Sequence, residues 1–147
     1  YGNLKPRARM LTLYYYGNKL NRLVVGTGNK SELLCGYFTK YGDGGVDFLP
    51  LGDLYKTQVK QLADYLGIPE KIIKKVPTAG LWVGQTDERE LGITYDLLDL
   101  ILLGFEKGLQ INQIVKELDI NVKQVKQVKS MVQKSMHKRM MPLIAEI

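Results

Sequence analysis

Between Gly26 and Lys56 the chain reads GTGNKSELLCGYFTKYGDGGVDFLPLGDLYK, a stretch dense in side chains that can do chemistry. Thr27 brings a hydroxyl, Glu32, Asp43 and Asp47 bring carboxylates, and Lys40 and Lys56 bring cations. Asp43-Gly44-Gly45 is a turn sequence whose paired glycines permit positive φ and close backbone approach. The apolar run Leu23-Val24-Val25 just before it reads as a buried strand. Ligands of open α/β sheets sit outside the carboxyl ends of strands, so Thr27 and the groups after it emerge where a site is expected. Their density exceeds what folding requires and favours a site over a solvated surface.

Periodicity and punctuation give the elements that must position these groups. An amphipathic helix is expected over about residues 4–19, with Pro6 tolerable in its first turn and Gly17-Asn18 ending the periodic part. A strand at 23–25 and a short helix at 30–37 follow, and the helix places Glu32 in its first turn. Apolar positions Val59, Leu62, Ala63 and Leu66 predict a helix over 55–66, closed by Gly67 and Pro69. The loop 77–87 is long and polar enough to cover a site. Thr94 is the expected N-cap of a helix through Leu103, whose leucines on several faces require burial on both sides or a partner subunit. Residues 111–118 and 121–136 form a last helical pair, with capping-box spacing at Asn121 and Gln124 and an apolar stripe at Val125, Val128, Val132 and Met136.

A length of 147 residues suits one domain, and 45% hydrophobic with 24% charged residues is ordinary for a globular protein. No apolar run approaches the roughly 18 to 20 residues that span a bilayer, so a cytoplasmic protein is expected. Cys35 has no second cysteine to pair with and reads as a small buried hydrophobe. The net charge of +6 implies an anionic partner without saying whether it is nucleotide, nucleic acid or membrane. Lys116, Lys123, Lys126, Lys129 and Lys134 carry much of that excess and read as a solvated helix face. Helices outnumber strands, and a strand needs sheet neighbours to satisfy its backbone. Together with a start at Tyr1, this predicts the C-terminal portion of something larger, with residues 1–147 as one unit and a helical tail over about 105–147.

Several ordered motifs run nearly the whole length: NLKPRARM, VVGTGNKSE, GYFTKYGDGGVDFLP, the Leu54-Tyr55-Lys56 triplet, PTAGLW, TDERELGITYD and His137-Lys138-Arg139. They resemble the C-terminal half of the ammonia-dependent NAD synthetases, members of the N-type ATP pyrophosphatase group. The resemblance implies an α/β fold, here the mostly helical C-terminal part of a doubly wound parallel sheet of the adenine nucleotide alpha hydrolase type. It implies ATP and Mg2+ as co-substrate and cofactor, and deamido-NAD and ammonia as the other reactants. The carboxylate of deamido-NAD is adenylated with release of pyrophosphate, and ammonia then displaces AMP.

Position by position, the resemblance makes Thr27, Lys56 and Thr78 contacts to ATP and Glu32 a magnesium ligand. Arg7, Lys40, Asp47, His137 and Lys138 match positions that hold deamido-NAD. Asp43 is the candidate for binding ammonium and taking its proton, since ammonia must be neutral to attack. The family's Ser-Gly-Gly-x-Asp-Ser phosphate loop is not in this sequence, so the chain alone is expected to be inactive. The family is homodimeric, and a homodimer is expected here. Two rival readings stand beside this one. Residues 111–132 have helix-turn-helix spacing with a lysine-rich second helix, which would suit nucleic acid, although no arginine falls on its reading face. Alternatively, the leucine-rich helix makes the chain a noncatalytic dimerisation piece.

Overall fold

The structure, a computed structural model, describes residues 1–146; Ile147, the last residue of the predicted unit, lies outside the described residues. Its centre is α6 (Tyr95–Glu106), around which α2 (Lys30–Cys35), α3 (Lys56–Tyr65), α7 (Ile111–Leu118) and α8 (Val122–Lys134) pack. Helix α1 (Leu4–Leu20) opens the chain, and α4 (Glu70–Ile73) and α5 (Asp87–Leu91) are short turns of helix between α3 and α6.

The leucines of α6 explain that arrangement. Leu98, Ile101 and Leu102 are buried, and with Ile114, Val125 and Val128 they form the core. The burial expected on several faces of this helix is met in large part by its neighbours within the chain, while Leu100 stays half exposed. Gly104 lets α7 approach: a Cβ there would meet Ile114 at 2.8 Å. Thr94 is the N-cap as expected, but its side chain makes no capping bond; Glu88 Oε1 accepts from the Tyr95 amide instead, at 2.9 Å. The Asn121 and Gln124 capping box forms as the spacing predicts. Met136 leaves the α8 stripe, because the helix ends at Lys134 and Met136 sits exposed in a 3-10 turn.

The expected buried strand at 23–25 is not formed. Val24 is buried but Leu23 and Val25 are exposed, and the only pairing recorded there is one parallel bridge from Val25 to Phe48. A ladder needs a neighbouring strand, and among the described residues Phe48 supplies a single rung. Helix α1 runs past Gly17 to an Asn21 cap with φ of 50°. Gly17 is there for contact rather than termination: an added Cβ would lie 3.1 Å from the Arg22 carbonyl and 3.2 Å from Val24. Helix α2 ends two residues earlier than expected, at Cys35, and its cap Gly36 takes φ of 70° against Ser135. No described helix is long and apolar enough to cross a membrane.

Candidate active site

The capping box that starts α2 also fixes Glu32. The Asn29 side chain accepts from the Glu32 amide, and Glu32 Oε2 accepts from the Asn29 amide, both at 3.1 Å. This leaves Glu32 Oε1 to accept from Lys56 Nζ at 2.9 Å, in an ion pair about one-fifth exposed. Lys56 is held from its backbone as well. Its amide donates to Ser31 Oγ at 2.9 Å, Ser31 Oγ donates to Asp99 Oδ1 at 2.5 Å, and Asp99 Oδ2 accepts from the Thr57 amide at 2.9 Å. A carboxylate from α6 thus satisfies the first turn of α3, where the helix dipole favours an anion. Ser31 and Asp99 were not among the sequence candidates. A lone aspartate inside Leu97-Leu98-Asp99-Leu100 was the signal available, because a buried carboxylate must be paired.

Beneath the Lys56 ammonium lies the Tyr95 ring, 5.2 Å from nitrogen to centroid. Tyr95 is fully buried and its hydroxyl donates to Asp87 Oδ2 at 3.1 Å. Burial, with the Glu32 and Asp87 charges behind it, pushes the Tyr95 phenol far above its usual range, so it remains a donor. Burial also raises the Asp87 carboxyl, against the hydrogen bond from Tyr95, the nearby Tyr37 hydroxyl and the charge of Lys56. Nearby, the Tyr37 hydroxyl and Gln85 Nε2 both donate to Glu90 Oε2, at 2.5 and 2.9 Å.

Lys56, Asp87, Tyr37, Gln85 and Glu90 border an open hollow of about 1200 Å³. Thr27, Glu32, Lys56 and Thr78 line it, and so do Arg7, Asp43 and Lys138. Thr78 Oγ1 accepts from the Gly80 amide at 3.1 Å, which shapes the loop before α5. Asp43 Oδ1 accepts from the Thr39 amide at 3.0 Å. The close approach expected in the Asp43-Gly44-Gly45 turn is present, with Gly44 against Phe38 and Gly45 against Met10. The positive φ, however, is taken by Tyr41 at 60° and not by the glycines. Lys138 donates to the Gly36 and Phe38 carbonyls at 2.7 and 2.8 Å, and burial pulls its ammonium below the usual range while Asp43 opposes the shift.

Three candidates stand outside this hollow. Lys40 Nζ donates to the His137 carbonyl at 2.6 Å and borders, with Lys138, a smaller hollow of about 290 Å³. The His137 side chain is exposed. Asp47 has both oxygens in use, accepting from the Tyr14 hydroxyl at 2.9 Å and the Val24 amide at 2.8 Å, which fastens α1 to the segment after it. Arg7 reaches toward the Lys40 carbonyl at 3.4 Å. Arg139, quoted in the His137-Lys138-Arg139 motif without a role, donates to the carbonyls of Val132, Leu33 and Leu34 and joins the end of α8 to the end of α2. Cys35 is buried, and burial lifts its thiol to about 12, as befits a small hydrophobe.

The donor set bears on magnesium. Among the described residues no group of three or more His, Cys, Asp or Glu is placed to hold a metal ion by itself. Glu32 fits a shell of another kind, because Mg2+ commonly takes one or two protein carboxylates and fills the rest with phosphates and water. Each carboxylate oxygen accepts more than one bond, so Lys56 and Asn29 do not exhaust Glu32.

A family model described as NAD synthase matches residues 1–142. The NH(3)-dependent NAD(+) synthetase of Archaeoglobus fulgidus is 58% identical over 145 residues, covering 99% of this chain and 55% of that protein. Among solved structures, the NMN synthetase of Francisella tularensis superposes with a TM-score of 0.83 at 42% identity, covering 99% of this chain and 56% of the other. The NH3-dependent NAD synthetase of Campylobacter jejuni, solved with nitrate, gives 0.78 at 36% identity, over 99% and 55%. The chain spans about half the length of the curated relatives it matches.

Proposed function

The chain belongs to the NAD synthase family, and from that membership we propose that it contributes one part of an ATP- and Mg2+-dependent ligase that amidates deamido-NAD to NAD. The observation that carries the reading is the gathering of Glu32, Lys56, Thr27, Thr78, Asp43 and Lys138 around one hollow, at the positions the family resemblance assigns to ATP, magnesium, dinucleotide and ammonium. A carboxylate oxygen of deamido-NAD attacks the α-phosphorus of ATP, and the bond to pyrophosphate breaks. Ammonia then adds to the acyl carbon and AMP leaves. Adenylation is needed because oxide is a poor leaving group and a phosphate ester is not.

In this scheme the residues position reactants and balance charge. Lys56 brings a compact ammonium to phosphate oxygens, and Thr27 and Thr78 add hydroxyl contacts to ATP. Glu32 would hold magnesium, which when bound neutralises phosphate charge. Asp43 takes the ammonium proton. Arg7 and Lys138, at the hollow, hold the dinucleotide, and Lys40, His137 and Asp47, which lie outside the hollow, would meet the part of it that extends past that rim. The Val25 to Phe48 bridge is the seed of the doubly wound parallel sheet that the family fold implies. A cytoplasmic homodimer belongs to the same proposal. The helix-turn-helix rival is not favoured, since α7 and α8 lie within the span of the family match and turn their apolar faces into the core.

The test is a chimera in which this chain replaces the matching segment of the Archaeoglobus fulgidus relative. NAD should form from deamido-NAD only with ATP, magnesium and ammonia all present. The Francisella relative is named for making the mononucleotide, so nicotinate mononucleotide is the competing substrate. The 58% identity to the Archaeoglobus fulgidus protein, named for NAD, against 42% to the Francisella protein favours the dinucleotide, and a chimera that amidates only the mononucleotide would overturn that choice.

A further inference from the structure

Asp87 carries a polar atom that the fold leaves unpaired. Its side chain is 4% exposed, Oδ2 is taken by Tyr95, and Oδ1 is buried with no hydrogen-bond partner among the described residues. An unpaired buried acceptor is costly, so its retention calls for a reason. Asp87 borders the same hollow as Glu32 and Lys56. Tyr95 links the two carboxylates: Lys56 Nζ, bonded to Glu32, lies over the Tyr95 ring, and the Tyr95 hydroxyl donates to Asp87. An ammonium has three donors, and a π face offers it a favourable path from one anion toward the other.

We propose that Asp87 is a positioning residue for Lys56: its free Oδ1 receives the lysine ammonium when Glu32 turns to a divalent cation, so that Lys56 stays in the site instead of swinging into solvent. The charge of Lys56 already acts on Asp87, opposing the rise that burial imposes on its carboxyl. Tyr95, anchored to Asp87, holds the ring face in place throughout. This inference rests on the nucleotide reading only for the cation that claims Glu32; the lysine seat itself needs no ligand.

Two measurements on the chimera test it. In a crystal structure of Glu32→Ala without nucleotide, Lys56 Nζ should lie within about 3.2 Å of Asp87 Oδ1. An ammonium pointing into solvent there overturns the proposal. In equilibrium binding, Asp87→Asn should leave the affinity for ATP without magnesium within about twofold and weaken MgATP binding about 10-fold or more, as loss of an outer-shell partner does. Equal losses with and without magnesium, alongside a lowered melting temperature, mark a structural role only and also overturn it. If the unsubstituted chimera fails to bind ATP, the nucleotide reading falls, and the Glu32→Ala structure still judges the lysine seat.

Discussion

Two regions of this molecule handle apolar surface in opposite ways. Around α6 the chain finishes its own burial: Leu98, Ile101, Ile114, Val125 and Val128 lose essentially all exposure, and Gly36 and Gly104 bring neighbouring elements into contact. Around α1 it does not. Leu11, Leu13, Tyr15 and Tyr16 face outward, as do Leu23, Val25 and Phe48, and Leu11 keeps 66% of its surface. What fastens α1 is polar: Tyr14 to Asp47, Arg7 to Lys40, and the Thr39 hydroxyl to Asn3 at 2.9 Å. Contiguous exposed apolar surface of this kind marks a place where something else packs. The hollow lies between the two regions, so Glu32 and Lys56 rest on the finished side while Arg7 faces them from the unfinished one.

The contrast can be broken by mutation, starting with the core. Leu98→Ala should cost about 2–5 kcal/mol in chemical denaturation, the range for a large buried aliphatic truncated beside neighbours that cannot collapse. Gly36→Ala should cost about 1–3 kcal/mol, because a side chain there meets both a left-handed backbone and the Ser135 Cβ. A variant as stable as the parent would show that α2 and α8 are not in register. Smaller is the electrostatic tie of α2 to α6. Hydrogen bonds from Lys30 at 2.5 Å and Tyr55 at 2.7 Å hold the Glu106 carboxyl below its usual value of 4.5. A lowered native value stabilises above the unfolded value and is lost as pH falls through the native one. Midpoints measured between about pH 5 and 3 should therefore fall less steeply in Glu106→Gln than in the parent. Smallest of all, Leu11→Ala should change stability by under about 0.5 kcal/mol in this chain. A loss comparable to that of Leu98→Ala would mean that α1 is already buried and the two regions are not different.

The parts readable from sequence were those with local causes. The helix start marked by a capping box, at Asn121 with Gln124, fell where spacing put it, and Glu32 fell in the first turn of α2 as expected. The short α4 went unseen because four residues hold too little period to detect. Leu23-Val24-Val25 looked like a buried strand because all three are apolar, yet in extended backbone only alternate side chains face one way, and Val24 alone turns inward. The link from Ser31 to Asp99 joins residues 68 apart, and no local pattern encodes such a pairing. The same holds for Asp87 beneath Tyr95: its placement depends on how α5 meets α6, which spacing within either helix does not fix.

The most direct measurement of the central claim is magnesium-dependent exchange of labelled pyrophosphate into ATP, driven by deamido-NAD, in the chimera and its Glu32→Gln variant. Rapid exchange in the parent and loss of roughly 100-fold or more in the variant, with unchanged melting temperature, is the predicted result. Equal exchange rates in the two proteins would contradict the assignment of Glu32 and its hollow to the adenylation site.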